Sequence, residues 1–151
     1  MRVALTFTGD EAEAVLQRLA NPDFTPVMKA GSVLMTGSVR TNFRVGGRVG
    51  EPGSILGGTG KWKVTNNPKP LIRQGMQGGL MGSLQPAWDR SSAWVSTNKP
   101  YAAAHNFGHT YEPREGHPGF TLPARAFMVI QQDDITNILG LLRTHLLGGV
   151  K

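Results

Sequence analysis

The residues best placed for chemistry are three histidines. His105 and His109 stand four apart, a spacing that one helical turn converts into a divalent-metal clamp, and His117 follows in the next loop. Two neighbours argue against a clamp. Gly108 breaks the helix where His109 is needed, and Asn106 replaces the glutamate of a hydrolytic zinc helix. The plainer expectation is a half-buried His105 hydrogen-bonded to backbone, with His109 and His117 in solvent. Gly57-Gly58-Thr59-Gly60-Lys61 resembles a phosphate cradle, but Ile55 takes the place of its first glycine and Trp62 that of the hydroxyl after Lys61. No serine lies in a nucleophile elbow, and there is no cysteine to act as nucleophile, thiolate ligand or disulfide partner. The acids cluster at two helix starts, where the helix dipole accounts for them. No catalytic residue, metal or cofactor is expected, and the chain does not read as an enzyme.

Charge offers a different kind of chemistry. Sixteen Lys and Arg face ten acids, a net +6. From Lys29 to Arg73 there are eight basic residues and one acid, Glu51, whereas residues 10–23 hold four acids and one base. Arg40, Arg44, Arg48, Lys61 and Lys63 are therefore the candidate residues for a ring contact or for DNA, with Trp62 as a stacking group. The bland counterpart is a solvated face, or one docked on an acidic neighbour.

The elements that must position these groups follow from periodicity. Val3, Leu5 and Phe7 alternate with smaller or polar residues and predict a strand over 2–8. Asp10 caps a short helix with Ala12, Val15, Leu16 and Leu19 on its apolar stripe, stopped at Asn21-Pro22. Thr25-Pro26 is the predicted cap and first turn of a second helix reaching about Arg44, with Met28, Met35, Val39 and Phe43 on one face. Gly31 and Gly37 inside it suggest close approach of a neighbouring backbone or a softer helix, and Gly46-Gly47 ends it. An extended, glycine-rich loop over 46–69 carries Ile55, Leu56 and Trp62 as anchors. A hairpin is expected from 80–87 and 92–97, a helical turn from Tyr101 to Phe107, a loop or mobile hairpin tip over 109–119, and an extended segment from Phe120 to Ile130 with a strand over 126–130. Asp133-Asp134 opens the clearest helix, with Ile135, Ile138, Leu139, Leu142 and Leu146 as its stripe and Gly148-Gly149 as its stop. Met1–Gly9 lacks the apolar core of a signal peptide, and no stretch approaches membrane-spanning length.

Two segments carry a resemblance. Tyr101-Ala102-Ala103-Ala104-His105-Asn106-Phe107-Gly108 resembles the Tyr-Ala-x-x-His-x-Phe-Gly segment of the phage virion morphogenesis, or tail-completion, family of Mu-like tailed phages. Pro123-Ala124-Arg125-Ala126-Phe127 is similar to the Pro-Ala-Arg-x-Phe that follows there, with Ala126 where a second proline is common. Leu71 to Gly75, then Leu80 to Leu84, looks like the family's approach to its hairpin.

The resemblance implies a structural protein of the virion, assembled in the host cytoplasm as a homo-oligomeric ring, a hexamer, at the head–tail junction. Its partners would be further copies of itself, neck and tail-tube proteins and DNA in the channel, with no membrane. It also implies that Tyr101, His105, Phe107, Gly108, Pro123, Arg125 and Phe127 build the fold. Tyr101, His105 and Phe107 would pack the turn against the sheet, Pro123 would fix the backbone before Arg125, and Phe127 would enter the core. The predicted fold is α+β: one domain over 1–151, an antiparallel sheet of about four strands, and N- and C-terminal helices on one face. The alternatives are a basic nucleic-acid-binding module and a capsid assembly factor that does not stay in the virion.

Overall fold

A 21-residue helix, α1 (Thr25–Val45), is the element on which the others converge. In the computed structural model of the protein, the described residues are 13, 16, 17, 19–48, 60–62 and 79–147. The expected strand over 2–8, the Asp10 cap with Ala12 and Val15, Ile55 and Leu56, Lys63, the 71–75 stretch and the Gly148-Gly149 stop all lie outside them. Residues 13, 16, 17, 19 and 20 are helical and exposed.

Pro26 starts α1, as its fixed φ and missing N–H favour. The cap differs from expectation. Thr25 is already helical, and the Asp23 carboxylate accepts its N–H at 3.0 Å. These hydrogen bonds from Thr25 hold the Asp23 carboxyl below the usual carboxylate range. Val27, Met35, Val39 and Phe43 are buried, and so are Ser32, Thr36 and Asn42. Ser32 and Thr36 satisfy their hydroxyls on the carbonyls of Lys29 and Ser32, both at 2.8 Å. That is how polar residues tolerate the interior of a helix packed on several sides. A Cβ at Gly31 would make only ordinary contact with Ile138, and one at Gly37 would meet nothing. The expected backbone approach at these two positions is absent.

The helix stops at Gly46, whose left-handed φ of 70° suits a glycine cap. Gly47 follows at φ 92°, and a Cβ there would meet Trp62 Cδ1 at 2.7 Å. The chain is pinched at this point. Trp62 N–H donates to Gly46 O at 2.7 Å and Gly60 N–H to Arg48 O at 3.1 Å. Residues 46–48 and 60–62 thus lie side by side, and Trp62 is buried, as expected of an anchor.

Beyond the loop, a 3-10 turn (Met81–Ser83) leads into the hairpin β1 (Gln85–Trp88) and β2 (Ala93–Ser96), with Gln85 opposite Ser96. Asp89 shapes the turn by accepting the N–H groups of Ser91 and Ser92 at 2.8 and 2.6 Å. A short helix, α2 (Ala102–Phe107), comes next, then a second hairpin, β3 (His109–Tyr111) with β4 (Phe120–Leu122), and α3 (Gln132–Leu147). No described helix is long and apolar enough to cross a membrane.

The fold is α+β, but the four described strands form two separate antiparallel pairs rather than one sheet. The strand expected over 126–130 is absent. Its amides turn to a side chain instead, as shown below. Of the two readings of 109–119, loop or hairpin tip, the structure has the hairpin: His109–Tyr111 pairs with Phe120–Leu122. Both strands of the first hairpin and α3 pack against α1. Val39, Phe43, Trp62, Leu80, Met81, Leu84, Ala102 and Phe127 form one core. Phe43 sits at its centre, 5.6 Å from Trp62 edge-to-face and 5.1 Å from Phe127.

Candidate functional site

The two segments singled out in the sequence, 101–108 and 123–127, are brought together by hydrogen bonds. Helix α2 turns Ala102 and Asn106, one turn apart, toward the core. Asn106 Oδ1 accepts the N–H groups of both Phe127 and Met128 at 3.0 Å. From the other side, Asn42 Nδ2 of α1 donates to Phe127 O at 2.7 Å. Two buried amides therefore grip the Phe127 backbone, and its fully buried ring drops into the core. Arg125 N–H donates to His105 O at 2.8 Å and completes the join.

The grip continues into a part-buried polar chain. Arg48 Nε donates to Asn42 Oδ1 at 2.6 Å, and Arg48 Nη2 reaches Ser38 O at 3.0 Å and Ser38 Oγ at 2.6 Å. Ser38 Oγ donates to Asp134 Oδ2 at 2.6 Å, which also accepts Gln131 N–H at 2.8 Å. One network thus ties the loop root, the middle of α1, the Phe127 segment and the start of α3. Each polar group is stabilised only while its partners remain, so the elements are mutually fixed.

Several expected roles change. Tyr101 and Phe107 do not pack the turn against the first hairpin: they are 42% and 78% exposed. The inward positions of this short helix belong to Ala102 and Asn106. Among the described residues the His105 ring finds no backbone hydrogen bond. Its Nδ1 is buried without a partner among the described residues, and Tyr101 meets the ring edge-on at 5.7 Å. Burial, and then the nearby Arg125 charge, push the imidazole below its ordinary value. Gly108 caps α2 at φ 77° and ψ 162°, a region essentially reserved for glycine, and turns the chain into β3. Pro123 is exposed at the end of the second hairpin. Arg125 is 6% exposed, and its Nε has no partner among the described residues.

Among the basic candidates, Arg40 Nη2 donates to Leu84 O at 3.1 Å, Arg48 joins the network and Lys61 Nζ caps α1 on Val45 O at 2.6 Å. Arg44 is exposed. The residues that sequence reasoning missed are Asn106, Asn42, Ser38 and Asp134. Only their burial by helical period offered a signal.

The second hairpin stands apart from the core. Every residue of β3 is exposed. Tyr111 stacks on Phe120 at 4.5 Å and meets His109 edge-on at 4.4 Å. These three rings form an aromatic surface on a projecting arm. No group of three or more potential metal ligands occurs among the described residues. A cleft of about 540 Å³ lies between Asn21–Pro26 and Thr144–Leu146; Asp23, Thr144 and His145 line it without hydrogen bonds between their side chains.

Comparison with known proteins places this geometry in context. The model of the phage virion morphogenesis family matches residues 9–147. Mu-like prophage FluMu G protein 2 of Haemophilus influenzae is 32% identical over 139 residues, covering 85% of this chain and 84% of that protein. No solved structure matches.

Proposed function

Because this chain belongs to the phage virion morphogenesis family and so serves virion assembly, we propose that it is a structural subunit of a homo-oligomeric ring, a hexamer, at the head–tail junction. In this role it stays in the virion neck, contacts neck and tail-tube proteins and has no catalytic site.

The observation that carries the proposal is the β3–β4 arm. A lone two-stranded hairpin is at best marginally stable in water. Here one exposes three aromatic residues in contact, Tyr111 stacked on Phe120 and His109 edge-on to Tyr111. Such a surface is explained by a partner that covers it. An arm reaching from each subunit to the next makes a head-to-tail contact, the kind that closes into rings. The acid-rich stretch 10–23 and the basic stretch 29–73 offer a second pair of complementary faces.

The nucleic-acid reading draws less support, since Arg40, Arg48 and Lys61 already direct donors to groups within the chain. Size-exclusion chromatography with mass-resolved light scattering tests the ring. The expected result is a single species of six times the 16.3-kDa chain mass. A protein that is monomeric both in solution and in virions overturns the proposal.

A further inference from the structure

We propose that Arg125 and His105 form a carboxylate socket, filled in the assembled ring by Glu112 or Glu115 from the hairpin tip of a neighbouring copy. The inference rests on the ring reading above and names its contact.

The socket has two buried nitrogens without partners among the described residues, Arg125 Nε and His105 Nδ1. Their backbones are fixed to each other by the Arg125 N–H bond to His105 O. A guanidinium does not shed its proton, so burial without an anion remains unfavourable until an acceptor arrives. Its planar fork suits a carboxylate, which can accept two parallel N–H bonds.

Three of the other described acids accept hydrogen bonds within the chain, and Glu13 and Asp133, though exposed, lie on helices and not on a projecting segment. Asp23 accepts from Thr25, Asp89 holds its own turn, and Asp134 is bonded to Ser38 and Gln131. Glu112 and Glu115 differ: they are exposed at the outer end of the arm. The arm springs from the socket itself, since Gly108 and Pro123 bound it at its root. An extended strand advances about 3.4 Å per residue, so tip and root of one copy are separated by roughly 15 Å. A tip therefore serves a neighbour's socket and not its own. Phe107, Tyr111 and Phe120 along the arm supply the apolar rim that excludes water from such a pair. Tip and socket are different patches of one surface, so the contact is heterologous and propagates around a ring.

The test uses full-length proteins and mass-resolved light scattering, with circular dichroism to confirm folding. Wild type is expected as a ring. Glu112→Lys with Glu115→Lys spoils the tip, and Arg125→Met spoils the socket; each alone is expected as a monomer. Mixed in equal amounts they are expected to give one-to-one dimers, because one intact tip meets one intact socket. Asp133→Lys, an exposed acid elsewhere, should leave the ring intact. If Arg125→Met does not fold, Arg125→Lys takes its place, keeping the charge and losing the fork. A ring that survives the double Glu variant, or folded variants that give no dimer on mixing, overturns the socket while leaving the ring reading in place. A wild type that is monomeric in solution and in virions removes the ring reading itself.

Discussion

Asn106 holds two backbone N–H groups, of Phe127 and Met128, through one side-chain oxygen. Asn106→Ala leaves both without an acceptor where little water reaches. A buried donor left unpaired costs about 1–3 kcal/mol, so the variant is expected to lose about 2–4 kcal/mol in urea unfolding followed by tryptophan fluorescence. A loss below about 0.5 kcal/mol would contradict the role given to this amide, since that is the scale of ordinary surface changes. His105 makes a prediction in pH. Burial and the Arg125 charge lower its folded value below the ordinary 6.5. The unfolded chain therefore takes up a proton near pH 6.5 that the folded chain refuses until lower pH. Stability falls as pH drops through that window, and the term is absent above it. In the Glu112→Lys/Glu115→Lys background, where no neighbour's carboxylate reaches the imidazole, unfolding midpoints after adding His105→Gln should show a shallower decline between pH 7 and 5 than with His105 in place; parallel curves would contradict the assignment. Asp23 and Asp89, both held below 3.8, act only at more acid pH.

At the scale of elements, punctuation was the most legible signal. Pro26 and Gly46 bound α1, and Asp133-Asp134 opens α3, because backbone chemistry fixes helix ends locally. The first hairpin was legible from alternation, although residues 81–83 form a 3-10 turn instead of extending the strand. Phe120–Ile130 read as an extended run ending in a strand because its residues are apolar. Its paired part is instead 120–122, and Asn106, some twenty residues away, takes the amides that a strand would have offered a neighbour. In α2, six residues are too few for periodicity to choose a face, and large aromatic residues suggested the wrong one. Tyr101 and Phe107 are left exposed because the inward positions of this helix go to Ala102 and Asn106. Gly108 links the two elements. A Cβ there meets Ala124 N at 3.0 Å and Leu122 O at 3.1 Å, at a φ of 77°. Gly108→Ala is expected to cost about 1–3 kcal/mol in the same unfolding assay. An unchanged midpoint would show that the arm's root has freedom to shift.

For the whole molecule, the part-buried chain from Asn106 through Phe127, Asn42, Arg48 and Ser38 to Asp134 makes a rigid body out of short elements. From that body one hairpin projects with aromatic sides and an acidic tip. A body fixed by a network and an arm seeking a neighbour are the parts a ring subunit requires. Family membership was legible from Tyr101–Gly108 and Pro123–Phe127, because the residues that join the body to the arm fall within them. The central claim is that copies of this fold form a ring where head meets tail, each arm lying on the next subunit. A cryo-EM map of the purified phage neck tests it most directly. The account predicts a six-fold ring of density fitted by residues 25–48 and 79–147, with β3–β4 of each copy against its neighbour. A neck map in which no ring accommodates this fold, at a resolution that identifies the surrounding proteins, would contradict it.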